Sequence, residues 1–69
     1  MLRIRFEPTK QEQGQFILET LRKQFRSLSK GANVLIIPDV EPGDVPDIVS
    51  KTNFLVGHLV NYLSFRILK

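Results

Sequence analysis

The sequence predicts a small α/β or α+β domain, a βαβα unit in which two helices pack on a sheet of two or three strands. Three features predict it: an alternating segment at residues 2–6, an amphipathic segment over residues 10–30, and a continuous apolar run at Val34–Ile37. A chain of 69 residues can build only one core, so residues 1–69 are predicted to form a single domain.

The first strand is predicted from period-2 alternation. Apolar side chains at even positions and arginines at odd positions give a strand with one buried and one polar face: Leu2, Arg3, Ile4, Arg5 and Phe6. Pro8 is expected to end this strand, because proline cannot donate to a ladder of hydrogen bonds.

A helix is predicted over residues 10–30. Thr9 and Glu12 have the spacing of a capping box, and Gly31 stands where a left-handed C-terminal cap would lie. The apolar residues recur at the helical period and share one face: Ile17, Leu18, Leu21, Phe25 and Leu28.

The run Val34–Ile37 predicts a second strand with both faces covered, as in a parallel sheet. A strand, a helix and a parallel strand in this order would form a βαβ unit with a right-handed crossover. The acidic segment 39–46 contains two prolines and a glycine, and it is expected to be an exposed loop.

The C-terminal third allows two descriptions. A second helix can be capped by Asp44 and Asp47, or it can begin only at Thr52 or Asn53. On such a helix one face would hold Ile48, Leu55, Leu59, Tyr62 and Leu63. Residues 63–67 alternate again, so a short third strand is the alternative ending.

The residue types argue against an enzyme and against a cofactor or metal site. There is no cysteine, and His58 is the only histidine. None of the serines lies in a G-x-S-x-G elbow. His58 stands among apolar residues and is expected to be half-buried on a helix. The acids that follow Asp39 do not have the spacing of a calcium loop, and no glycine-rich phosphate loop occurs, so no small-molecule substrate is predicted.

The N-terminal arginines are not followed by an apolar run, so no signal peptide is predicted. The most apolar stretch, residues 54–68, is shorter than the roughly 20 residues that cross a bilayer. A cytoplasmic protein without a membrane contact is therefore expected.

Charge is segregated along the chain. Residues 1–30 carry seven bases and three acids, whereas residues 31–50 carry four acids and no base. Six bases could together contact phosphates: Arg3, Arg5, Arg22, Lys23, Arg26 and Lys30. Two features weigh against this hypothesis: Glu19 can pair with the bases one turn away, and aromatic residues for base stacking are not interleaved with the bases.

The segment 54–68 carries the leading functional hypothesis. Ten of its fifteen residues are apolar, and on a helix they would surround the axis. A domain of this size has one core, so part of that surface is expected to meet another chain through Phe54, Phe65 and Leu68. The predicted function is a non-enzymatic protein-interaction module that self-associates, most simply as a dimer, or binds another protein. The alternative is a small regulator that binds nucleic acid.

Overall fold

A computed structural model describes residues 1–68 and shows two α-helices packed on a four-stranded antiparallel sheet. The strands are β1 (Leu2–Pro8), β2 (Leu28–Ser29), β3 (Val34–Ile37) and β4 (Val60–Ile67), and the helices are α1 (Gly14–Gln24) and α2 (Val45–Val56). Short 3-10 turns lie at Gln11–Gln13, Pro42–Asp44 and Gly57–Leu59. The predicted class and the two helices are confirmed, and the sheet has one strand more than expected. Lys69, the last residue of the predicted domain, lies outside the described residues.

The strands are arranged in the order β2-β3-β1-β4, and the chain runs β-α-β-β-α-β, which is the split-βαβ arrangement. The predicted parallel pairing of the first strand with Val34–Ile37 is wrong, because β1 and β3 are antiparallel. The reason is β2, a two-residue strand that pairs antiparallel with β3 and reverses the chain before β3 begins. No neighbouring pair among the described strands is parallel, so the expected right-handed crossover between adjacent strands has no counterpart.

Helix α1 is shorter than the predicted helix over residues 10–30. It ends at Gln24, and Phe25 is already extended, with φ −128° and ψ 137°. Leu28 was expected on the apolar stripe but lies exposed in β2. Gly31 has a positive φ of 132°, and it lies in the connection between β2 and β3 rather than at a helix end. Pairing with β3 has therefore overridden the helical period of residues 25–30.

The predicted capping box at Thr9 is wrong. The helical segment begins with the 3-10 turn after Lys10, and no side chain caps it. Thr9 instead bonds the turn before β4: its backbone N–H donates to the Leu59 carbonyl at 2.9 Å, and its hydroxyl donates to the same oxygen at 3.2 Å. Thr9 thus ties the end of β1 to the start of the neighbouring strand.

Replacing Thr9 with valine is expected to lower the free energy of unfolding by about 0.5–1 kcal/mol, the usual net worth of one hydrogen bond. The backbone bond from Thr9 remains, which keeps the effect small. Urea denaturation would measure it, with Thr9→Ser as the matched variant that keeps the hydroxyl. Equal free energies of unfolding for Thr9→Val and Thr9→Ser would contradict a contribution from the hydroxyl bond to Leu59.

The first of the two expected starts of α2 is close to the structure. Glu41 and Asp44 form a reciprocal capping box around the turn Pro42–Asp44, and α2 follows from Val45. Thr52 is not a cap but lies buried within the helix. The predicted helical face that continued through Leu59, Tyr62 and Leu63 does not exist, because α2 ends at Val56 and β4 begins at Val60.

The core lies between the two helices and one face of the sheet. It is formed by the even residues of β1, by β3 and by the inward sides of both helices, and its buried members are Leu2, Ile4, Phe6, Ile17, Leu18, Leu21, Leu35, Ile37, Ile48 and Val56. The predicted alternation of β1 is confirmed. In the described part of the chain, no helix has both the length and the apolar character needed to cross a membrane.

Candidate functional site

The sheet face opposite the helices is open and carries a cluster of bases, which we call the basic face: Arg3, Arg5, Lys30 and Arg66. Side chains alternate between the faces of a strand, and residues directly opposite each other in an antiparallel pair point to the same face. The core takes the even residues of β1, so Arg3 and Arg5 point away from the helices. Arg66 is the partner of Arg3 in β4 and therefore lies on this face.

A depression of about 540 Å³ lies on this side of the sheet. Arg3, Arg5 and Lys30 line it, so the turn between β2 and β3 brings Lys30 close to the two arginines of β1. Its apolar lining includes Val34 and Ile36, the β3 partners of Arg5 and Arg3. The depression thus joins an apolar floor to a basic rim.

Among residues 1–68, no acidic partner lies within ion-pair distance of the bases of this face. The ion pair found among residues 1–68 joins Lys51 to Asp47 on α2, at 3.2 Å. Glu7 is the acid on the open face of β1, and its carboxylate accepts a hydrogen bond from the side chain of Asn61 at 3.4 Å. Arg3 and Arg66 stand opposite each other in the register, an arrangement that destabilises a sheet unless an anion lies between the charges.

One aromatic side chain joins the basic face. Tyr62 is the β4 partner of Glu7, lines the same depression and is 43% exposed. Aromatic residues are not interleaved with the bases in the sequence, but the fold brings Tyr62 beside them. Tyr62 and Arg5 are far apart in sequence and come together only through the pairing of β4 with β1.

The six bases considered from sequence do not form one surface. Arg3, Arg5 and Lys30 lie together, whereas Arg22 and Lys23 project from α1, in the helix layer on the other side of the sheet. Arg26 is exposed between α1 and β2. Glu19 lines a shallow depression with Arg22 and Lys23 but forms no ion pair with either in the described part of the chain.

Arg66 was missed by the sequence reasoning. A signal was present, since residues 63–67 alternate, and this alternation puts Arg66 on the polar side of a strand. The alternation did not identify which strand lies beside residues 63–67. Only the pairing of β4 with β1 places Arg66 opposite Arg3.

The three residues predicted for a protein interface occupy three different settings. Phe54 is 85% exposed on α2, in a groove with Gln24 and Leu55 between the helices. Phe65 was expected outside the core, but it is half-buried and packs against the core. Leu68 is half-buried at the end of β4 and lines the depression of the basic face. Residues 54–68 do not form a helix that is apolar all round, because α2 ends at Val56 and β4 begins at Val60, and the interface stays a prediction.

The remaining candidate residues have structural settings. His58 is exposed in the turn Gly57–Leu59, not half-buried on a helix as expected. In the acidic loop, the side chain of Asp44 accepts from the backbone N–H of Glu41 at 3.4 Å, so its carboxylate helps to cap the 3-10 turn Pro42–Asp44 that leads into α2. Within residues 1–68, no group of three or more histidine and acidic side chains could hold a metal ion.

Comparisons with protein-family models, with curated proteins and with solved structures found no match to this chain. The geometry of the basic face is therefore the basis for the functional argument.

Proposed function

We propose that this protein is a small non-enzymatic module that binds single-stranded nucleic acid on the basic face. The observation that carries the proposal is that Arg3 lies directly opposite Arg66, with Arg5 next on the same face of β1 and no acid of the described residues within ion-pair distance. Protein surfaces normally intersperse charges of both signs. Within the described part of the chain this face holds four bases and one acid, Glu7, and this balance favours a ligand with several negative charges.

The apolar floor and the aromatic residue favour nucleic acid among polyanions. Single-strand binding proteins combine a basic groove that follows the phosphates with aromatic side chains on which bases stack. Tyr62 can supply one stacking surface at the edge of the depression, and the half-buried Val34 offers apolar contact to an unstacked base. An inorganic phosphate has no apolar or aromatic part that could contact either feature.

The width of the sheet favours a single strand over a duplex. A B-DNA major groove is about 12 Å wide and admits a helix or a two-stranded ribbon. Neighbouring strands lie about 4.8 Å apart, so the axes of the outer strands of this sheet are about 14 Å apart. β1 is an inner strand with β3 and β4 on either side, so Arg3 and Arg5 cannot enter a groove as an isolated strand or ribbon edge.

Binding without catalysis fits the side chains available. The basic face offers arginine, lysine and tyrosine, and its acid Glu7 is engaged by Asn61. The only histidine, His58, lies in the turn Gly57–Leu59, whose residues do not line the depression. A non-enzymatic role therefore remains part of the proposal, and the cytoplasmic location expected from the sequence is proposed with it.

The test is fluorescence anisotropy with a labelled oligothymidylate of about 12 nucleotides, within the site sizes of single-strand binders. The wild-type protein is expected to bind, and its affinity should fall steeply between about 50 and 200 mM salt. The double variant Arg3→Gln/Arg66→Gln should bind at least about tenfold more weakly, with a shallower salt dependence. Removing two opposed arginines should not destabilise the fold.

The matched control is Arg22→Gln/Lys23→Gln, which removes the same net charge from the helix layer. This control should keep nearly wild-type affinity. Equal losses in the two variants would mean that only net charge matters, and an unbound wild type at low salt would overturn the proposal. Tyr62→Ala should weaken binding more than Tyr62→Phe, because phenylalanine keeps the stacking surface.

The self-associating protein-interaction module stays a prediction beside this proposal. Its support in the structure is no longer an apolar helix but the outer edge of β4.

A further inference from the structure

The two edges of the sheet are unequal. β2 forms one edge and has two residues, whereas β4 forms the other and has eight. An exposed edge strand presents unpaired N–H and C=O groups, and proteins usually blunt such an edge with prolines, charges or very short strands. β4 contains no proline, and Arg66 is its one charged residue. Its outer edge is therefore suited to pairing with another strand.

The hydrogen bonds identify the outward backbone groups. The amide of Leu68 donates to the carbonyl of Met1, and the amino group of Met1 donates to the carbonyl of Leu68. In an antiparallel pair, such mutually bonded residues alternate with residues whose backbone groups point the other way. The even residues of β4 therefore bond to β1, and the N–H and C=O groups of Leu63, Phe65 and Ile67 point outward.

The amide of Phe6 supports the same assignment of even and odd residues, from the side of β1 that faces β3. It donates to the carbonyl of Asn33, toward β3, at 3.1 Å. The even residues of β1 thus bond toward β3, which leaves its odd residues to bond toward the even residues of β4.

Burial on the core face falls abruptly across one strand. Leu2, Ile4 and Phe6 of β1 are completely or almost completely buried. Their direct partners in β4 are less covered: Phe65 and Leu63 are half-buried, and Ile67 is 50% exposed. The apolar side chains on the core face of β4 are therefore only partly covered by their own chain. A further strand added to the sheet beside β4 would cover them.

We propose that two copies of this chain pair through β4, antiparallel about a two-fold axis at Phe65. This register pairs the three outward-facing residues with one another: Phe65 with Phe65 of the second copy, and Leu63 with Ile67. Each pair exchanges two hydrogen bonds, so about six would form. A two-fold axis makes the contact self-complementary and closed, so the assembly stops at a dimer.

The register also suits the side chains. It sets Ser64 opposite Arg66 of the second copy, which keeps the two Arg66 side chains from facing each other. On the core face, each exposed Ile67 meets the other copy's Leu63. The result is one sheet of eight strands with both basic faces on the same side, because a two-fold axis normal to a sheet preserves its faces. The inference goes beyond the proposed function and does not require it.

The experiment is analytical ultracentrifugation over a range of protein concentrations, without nucleic acid. The wild type is expected to form dimers. Ile67→Pro removes an outward N–H without touching the bonds to β1, and edge positions of this kind tolerate proline. It should shift the protein to monomers while its circular dichroism stays unchanged. Ile67→Val keeps the N–H and an apolar side chain, so it should remain dimeric.

A charge pair at Ser64, which is exposed, tests the register separately. Ser64→Lys places like charges opposite Arg66 of the second copy and should weaken the dimer, whereas Ser64→Glu should strengthen it. A monomeric wild type at all concentrations would overturn the proposal. Equal dimer stability in both Ser64 variants would overturn the register centred on Phe65. Monomers that still bind oligothymidylate would leave the proposed function standing without the dimer.

Discussion

Replacing Phe6 with alanine is expected to unfold most of this protein under conditions in which the wild type is folded. Phe6 is 1% exposed, belongs to the core and lies opposite Leu63. Truncating a buried phenylalanine costs about 3–5 kcal/mol through lost burial and the cavity that remains. A domain of 69 residues is stable by only about 3–10 kcal/mol. The loss is therefore at least about a third of the stability, and in the lower half of that range it equals the whole.

Chemical denaturation followed by circular dichroism would measure the effect. The matched control is Phe54→Ala, the same truncation at the largely exposed side chain on α2, which should change stability by no more than about 0.5 kcal/mol. Similar losses in the two variants would contradict the assignment of the core to the helix side of the sheet.

Replacing Thr52 with valine is expected to raise the free energy of unfolding by about 1–3 kcal/mol. Thr52 is completely buried within α2, and its hydroxyl has no hydrogen-bond partner in the described part of the chain. A buried polar group without a partner costs about this much, and valine has nearly the same shape without the hydroxyl. The helix propensities of the two residues are similar, so the change in solvation decides the sign.

Thr20→Val is the control, because the hydroxyl of Thr20 donates to the carbonyl of Phe16 at 2.8 Å. Thr20→Val removes that hydrogen bond, so its free energy of unfolding should not rise and should fall by up to about 1 kcal/mol. Thermal unfolding of both variants, with the wild type alongside, would separate the two cases. A destabilised Thr52→Val protein would mean that the hydroxyl is hydrogen-bonded in solution.

Elements with one buried side and one exposed side were predictable from sequence. β1 has a buried and an open side, so Leu2 and Ile4 face the core as the alternation predicts. The central part of α1 follows the same logic, since Ile17 and Leu21 meet the sheet at the helical period. These patterns record solvent exposure directly, and exposure needs no knowledge of which strand lies alongside.

The basic face was only partly predictable. Arg3 and Arg5 were identified as a pair from one strand, but they were grouped with bases of α1 that the fold places on the other side of the sheet. Arg66 and Tyr62 join the face through hydrogen bonds between β1 and β4, the first and last strands. No local pattern records which strand becomes the neighbour of another.

The sequence by itself determined the α/β or α+β class, the presence of a strand at Val34–Ile37, and the inward sides of β1 and of the central part of α1. The tertiary structure decided the direction of β3, the existence of β2 and the end of α1 at Gln24. The physical reason is that a two-residue strand has no periodicity of its own. β2 is stabilised by its hydrogen bonds to β3, and those bonds outweigh the helical preference of residues 25–30.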